Sequence, residues 1–224
     1  MARGNLLAFI DDDCVIAGNW LDSILSYMAD HADVAAVGGA VKPLRCGGGR
    51  INRYLSLTKH LDGPIRINGE IANMASANLI IRRDKFEEIG GFDDRFPYAG
   101  AEDQNLLWRL AKIGKLGFSE EIAVLHNHDI SFKDFCKKYK RYGQGVTIHN
   151  HLMHTAASNE KDDYYVPYCT KNIHLFTKAG KIYCRSKEYL ERFDIKAPDS
   201  ATRLLAFLQE FCFQLGSASI RRRL

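Results

Sequence analysis

The chain has 224 residues, 46% hydrophobic and 26% charged, with a net charge of +4. That balance suits a folded protein with one sizeable domain, or a domain plus an appendage, and argues against long disorder. No run of eighteen apolar residues offers a transmembrane helix, no signal-peptide core precedes the first strand, and so mild a charge does not call for a nucleic-acid partner.

The expected location is therefore cytoplasmic. Six cysteines (Cys14, Cys46, Cys136, Cys169, Cys184 and Cys212) are dispersed without a CxxC pair, which fits reduced thiols better than a zinc knuckle or a disulfide framework.

Leu6-Leu7-Ala8-Phe9-Ile10 is a short apolar run that ends in Asp11-Asp12-Asp13, the pattern of a buried strand. Apolar residues at 20, 21, 24, 25 and 28 recur at helical spacing. Val34 to Val41 reads as a second strand, its glycines marking close packing or a bulge. Residues 51–72 are ambiguous, and Gly63-Pro64 interrupts them.

Asn78 to Ile81 reads as a strand, Arg83 to Ile89 as a short helix stopped by Gly90-Gly91, and Glu102 to Ile113 as a helix stopped by Gly114. Two short strands, Lys115 to Phe118 and Ile122 to Leu125, precede a helix from Ser131 to Tyr142 with Ser131 as its cap. Residues 145–170 have no clear assignment; Ser186 to Phe193 and Ala201 to Leu215 read as helices. Alternating strands and helices predict an α/β fold.

Three groups of residues carry chemistry. Consecutive carboxylates at a strand end repel one another unless a cation compensates, and their hard oxygens suit Mg²⁺ or Mn²⁺. Along an extended chain Asp11 and Asp13 would point one way and Asp12 the other. An acidic turn with helix-capping aspartates is the alternative.

In the second group, Gly90-Gly91 permits a sharp turn, Phe92 and Phe96 can anchor the loop that follows, and Glu102-Asp103 begins a helix whose dipole favours carboxylates. A carboxylate fixed there can take a proton from a hydroxyl nucleophile; the alternative is a plain acidic helix start. The third group is His126-Asn127-His128 at the end of a strand, where imidazole can ligate a metal if the fold brings it to the aspartates.

Taken in order, these segments resemble family 2 glycosyltransferases. Ala2 to Asp13 resembles the segment leading into that family's DxD motif. Ala77-Asn78-Leu79-Ile80-Ile81, Gly90-Gly91-Phe92-Asp93-Asp94-Arg95-Phe96 and Glu102-Asp103-Gln104-Asn105-Leu106-Leu107-Trp108-Arg109-Leu110 resemble its acceptor-side signature. Val124 to Ser131 is similar to its histidine segment, and Lys140-Arg141-Tyr142-Gly143-Gln144-Gly145 to its Arg-Tyr-Gly-x-Gly continuation.

The resemblance covers residues 1–146. It implies a GT-A fold, a mixed sheet flanked by helices, with 147–224 as a mainly helical C-terminal extension. It further implies inverting, metal-dependent transfer of a sugar from a nucleotide-diphospho-sugar, with a UDP-sugar the expected donor, to a glycan, lipid-linked or protein acceptor, as in polysaccharide biosynthesis.

By carry-over, Asp103 is the catalytic base, with Glu102 orienting it or touching the acceptor. Asp11, Asp12, Lys140 and Arg141 meet the donor, and Mn²⁺ or Mg²⁺ is held by Asp13, Asp11 and His126, with His128 as a substitute. The family carries a nucleotide-binding unit ahead of its DxD motif that this sequence lacks, so the first strand is expected to be a central strand deprived of its neighbours. A non-catalytic binding remnant is the competing reading.

Outside the resemblance, His149, His151 and His154 have a spacing that a helix could turn into a metal site, with a solvated loop as the expected use. The C-terminal amphipathic helix with Arg221-Arg222-Arg223 can pack on the sheet or lie peripherally on an anionic membrane.

Overall fold

A computed structural model describes residues 2–44, 49–58, 61–156, 179–192, 194–195 and 198–221. The chain forms two compact units, one of Met1–Arg45, Leu61–Asp93 and Glu102–His128, the other of Cys46–His60, Asp94–Ala101 and Asp129–Leu224.

The first unit is built on a five-stranded mixed sheet in the order β1-β6-β3-β7-β2. Strand β1 (Leu6–Ile10) is antiparallel to β6 (Asn78–Arg82), which is antiparallel to β3 (Val34–Pro43). Strand β3 runs parallel to β7 (Lys115–His126), and β7 is antiparallel to β2 (Cys14–Ile16). Among the described residues β1 is an edge strand of this sheet, and Ile10 is 37% exposed. A separate hairpin pairs β4 (Ile65–Ile67) with β5 (Glu70–Asn73), resolving part of the ambiguous 51–72 stretch.

The alternation of side chains along β6 decides which residues face which layer. Ile80 joins Val37 and Val41 beneath helix α1 (Trp20–Asp30), where Trp20, Ile24 and Met28 are buried. Leu79 and Ile81 face the other way, onto Leu106, Leu107 and Leu110 of helix α4 (Glu102–Leu110). Helix α3 (Arg83–Glu88) ends at Gly90-Gly91, with φ of +76° and +71°, the left-handed turn expected of that pair. Beyond it, Phe92 packs edge-on against Phe9 at 5.4 Å.

The two short strands read at 115–118 and 122–125 are one strand, β7, broken by an irregularity. Its register against β3 jumps from Gly39↔Ser119 to Ala40↔Ala123. Asn78, fully buried, fills the gap. Its Nδ2 donates to the carbonyls of Ala40 (3.1 Å) and Ile122 (2.8 Å), and its Oδ1 accepts from the Trp20 indole at 3.0 Å. Gly39 must lack a side chain because a Cβ there would overlap the Ile122 carbonyl oxygen and the Asn78 amide.

Replacing Asn78 with Leu should cost on the order of 3 kcal/mol, since buried donors and acceptors lose their partners. For a chain of this size the melting temperature should fall by roughly 6–12 °C. A thermal melt within a degree or two of wild type would refute that accounting.

The second unit is helical: α2 (Arg50–Leu57), α5 (Phe132–Ala156), α6 (Ala179–Arg192) and α7 (Ser200–Arg221). Ser131 caps α5 as its sequence suggested, accepting the Asp134 N–H at 3.1 Å. The helix does not stop near Tyr142, and it continues through the histidines expected in a loop. His149 is fully buried and burial pushes its imidazole down to about 4, whereas His151 and His154 are exposed.

Phe96 anchors here, beside Ala101, Val146 and Phe213. Helix α7 packs on α5, α6 and α2. Arg222, Arg223, Cys46 and Cys169 lie outside the described residues. No helix among the described residues is long and apolar enough to cross a membrane.

Candidate active site

Between β1 and β2 the chain turns through Asp11-Asp12-Asp13, closed by a hydrogen bond from the Cys14 N–H to the Asp11 carbonyl at 3.1 Å. The segment is thus a turn and not extended strand, yet Asp11 and Asp13 converge as expected. The Asp13 carboxylate lies 3.3 Å and the Asp11 carboxylate 3.7 Å from Nε2 of His126.

Three pairings fix that meeting. Strand β2 lies alongside the end of β7 with Cys14 opposite His126, the Asn127 N–H bonds the Asp13 carbonyl at 3.1 Å, and the Leu44 N–H bonds the His126 carbonyl at 2.9 Å. Asp12 is exposed.

His126 is 5% exposed, and among the described residues its buried Nδ1 finds no hydrogen-bond partner. Its ring stacks on that of His128 at 4.6 Å. Ligand atoms of Asp13, Cys14 and His126 all lie within 4.8 Å of one another. Two half-exposed carboxylates aimed at one imidazole nitrogen form a donor set that fits a divalent cation such as Mn²⁺ or Mg²⁺.

The sequence did not single out Cys14. Burial first, then the Asp11 and Asp13 charges, push its thiol up to about 11, and the sulfur points at the Ala77 carbonyl at 3.8 Å. A protonated, soft sulfur so placed is a packing neighbour of the carboxylates rather than a first choice of ligand. The only sequence signal for it was its place next to Asp13. His128 is held against the His126 ring, and no group of three ligand atoms among the described residues includes it.

Asp103 occupies the first turn of α4 behind Glu102. Its Oδ1 accepts the Gln104 N–H at 2.8 Å, and the backbone N–H of Ser76 also reaches it. Burial, then the Glu102 charge, push its carboxyl up from 3.8 to about 7, outweighing those donors. A carboxylate with that affinity is poised to take a proton near neutral pH. Lys140 and Arg141 are exposed on α5, in the second unit, where the Arg141 guanidinium lies over the Tyr98 ring at 5.3 Å.

Comparison with known proteins gives these features a class. The fold is shared with a mannosyltransferase, PcManGT from Pyrobaculum calidifontis, solved in complex with GDP-Man and Mn²⁺. The TM-score is 0.54 at 15% identity, and the match covers 98% of this chain and 63% of that one. The mixed sheet with its flanking helices is thus a GT-A glycosyltransferase fold.

The model for "Glycosyltransferase like family 2" matches residues 54–182, and that for "Glycosyl transferase family 2" matches residues 1–90. The chain belongs to glycosyltransferase family 2. Two curated relatives, both named pre-mycofactocin glycosyltransferase, come from Mycobacterium tuberculosis strains CDC 1551 / Oshkosh and ATCC 25618 / H37Rv. Each is 29% identical over 145 residues, which is 62% of this chain and 30% of the relative, so the chain spans less than a third of their length.

Proposed function

We propose that this chain carries the metal and acceptor side of an inverting sugar transfer from a nucleotide-diphospho-sugar. The observation that carries the reading is the convergence of Asp11, Asp13 and His126, with a proton-avid Asp103 at a helix start in the same unit. Asp13 and His126 would hold the divalent ion, with Asp11 beside them and Asp12 toward the donor. When bound, such an ion supplies Lewis-acid stabilisation of the departing nucleotide diphosphate.

Asp103 takes the proton of the acceptor hydroxyl, whose oxygen forms the new bond to the anomeric carbon as the bond from that carbon to the diphosphate oxygen breaks. Attack opposite the leaving group inverts the configuration. Lys140 and Arg141, exposed cations, are assigned to the donor diphosphate or an anionic acceptor.

Calorimetric titration with UDP and with GDP, each with and without Mn²⁺, tests the donor half. Metal-dependent binding of either nucleotide is the expected result; absence of both from a folded chain would favour the non-catalytic binding reading.

A lipid-linked acceptor and a peripheral membrane position draw support from the second unit. Leu204, Phe211 and Leu215 form an exposed apolar stripe on α7, with Arg203 and Arg221 exposed on the same helix. A cavity of about 390 Å³ beside Leu204 is lined by Ile51, Ile130, Phe132 and Leu208. Vesicles containing anionic lipid should co-sediment the protein, and Phe211→Asp should abolish it. Equal recovery of both proteins would remove the membrane from this reading.

A further inference from the structure

Helix α2 opens on the cavity of the second unit. Gly49, Arg50, Ile51 and Asn52, its cap and first turn, all line that space of about 390 Å³. No side chain caps the helix, and its first helical bond runs from the Arg53 N–H to the Gly49 carbonyl at 3.1 Å. The N–H groups of Arg50, Ile51 and Asn52 precede that ladder and carry the positive end of the helix dipole. The first turn holds no acidic residue, and Arg50 adds a full positive charge.

Most of the remaining lining is apolar. It includes Ile130, Phe132, Leu204 and Leu208, and Phe132 and Leu204 are 55% and 57% exposed. A cavity with a cationic end and apolar walls suits a ligand with matching halves. A phosphate would meet the helix N-terminus and the guanidinium, and an aliphatic chain would cover Phe132 and Leu204.

Asn52 is the independent sign of a ligand at the cationic end. It is 5% exposed, lines the cavity, and its buried Oδ1 has no hydrogen-bond partner among the described residues. An unpaired buried oxygen costs stability that an apolar residue of similar size would not. A half-turn of the amide exchanges Oδ1 for Nδ2, so the same residue can donate to a phosphate oxygen. Asp129, exposed and also on the wall, opposes an anion and so fixes the sign of one test.

We propose that this cavity binds a lipid with a phosphate head: Arg50, Asn52 and the first turn of α2 hold the head, and Phe132, Leu204 and Leu208 hold the chain. The proposal deepens the lipid reading above and rests on it for the class of ligand, whereas sugar transfer plays no part in it. Every residue named belongs to the second unit.

Decyl phosphate, kept below its micelle-forming concentration, is the probe, titrated calorimetrically into the whole chain. It should bind saturably, and both inorganic phosphate and decyl maltoside should bind about tenfold more weakly or worse. Arg50→Gln and Asn52→Leu should each weaken decyl phosphate by about tenfold or more, yet Asn52→Leu should melt at or above the wild-type temperature. Leu204→Asp should weaken binding, and Asp129→Asn should tighten it. Phe211 is not part of the lining, so Phe211→Asp should bind the probe as the wild type does.

Inorganic phosphate bound as tightly as decyl phosphate would mean an ion at a helix end, and decyl maltoside bound as tightly an apolar patch; either result overturns the proposal. So does wild-type affinity in Arg50→Gln or Asn52→Leu. A protein whose mass rises with concentration, and no longer does so in Leu204→Asp, would put a second copy of the chain in the cavity and overturn it as well. A chain that sediments with anionic vesicles yet ignores decyl phosphate refutes this site alone, whereas the expected pattern of variants in a chain that ignores vesicles keeps the site and refutes the membrane position.

Discussion

Asp103→Asn should abolish transfer, leave donor binding intact, and make the protein more stable at pH 8. The first two effects follow from the assigned role. Asn keeps the shape and an acceptor for the Gln104 and Ser76 N–H groups but cannot take a proton, and loss of a positioned base costs on the order of 10²–10⁴ in rate.

The third effect follows from the sign of the Asp103 shift. The folded state holds this proton up to about pH 7, whereas the unfolded chain releases it near 3.8. Stability contributed by the group is complete below the lower value and is lost as pH rises through the window, so the ionised wild type is penalised at pH 8. Asn carries no such penalty, and the gain should be about 2–4 kcal/mol at pH 8, shrinking toward nothing at pH 4.

In an active enzyme the same shift predicts a kcat that climbs with pH and levels above about 7. An Asp103→Asn protein that still turns over, or that is no more stable at pH 8, would remove Asp103 from the role of base.

Much of the site was legible in the sequence because the relevant signals are local. The turn at Gly90-Gly91 and the acidic start of α4 depend on neighbours a few residues away and formed as read, whereas the apolar run before Asp11 formed a strand whose residues are half-buried or exposed rather than buried. The failures came where long-range packing overrode local preference. The helix from Ser131 was read only as far as Tyr142, just before Gly143 and Gly145. Their missing side chains admit the Phe213 and Gly100 carbonyls, and the packing gained holds α5 helical to Ala156.

The break in β7 was read as a gap between two strands because no local rule says that a side amide forty-four residues away, that of Asn78, will bond to Ile122 across it. Nor could spacing alone bring His126 within reach of Asp13. That depends on β2 pairing with the end of β7, a contact between residues more than a hundred positions apart. The family resemblance supplied this juxtaposition in advance; the geometry gives its physical basis.

Asp13→Ala and His126→Ala should each eliminate stabilisation of the protein by Mn²⁺. With both partners present, the Asp13 and Asp11 carboxylates face one imidazole nitrogen at 3.3 and 3.7 Å, and a divalent ion would relieve their mutual repulsion. An ion that binds only the folded state raises stability by mass action, about 2.7 kcal/mol at a hundred times its Kd, which for this size of chain is a rise in Tm of roughly 5–10 °C.

Removing either ligand should weaken the ion by about 100-fold or more, and the Tm rise should vanish at that concentration. His128→Phe separates the two histidines. It preserves an aromatic ring against His126, so Mn²⁺ should still raise its melting temperature, whereas a His128 that served as the ligand would make this variant the silent one. The thermal shift needs no nucleotide and no acceptor, so it reads the carboxylate–imidazole cluster by itself. A wild-type protein indifferent to Mn²⁺ and Mg²⁺ up to millimolar concentration would leave Asp11, Asp13 and His126 as an acidic turn braced on a buried histidine, and metal-assisted departure of the nucleotide would lose its basis in this unit.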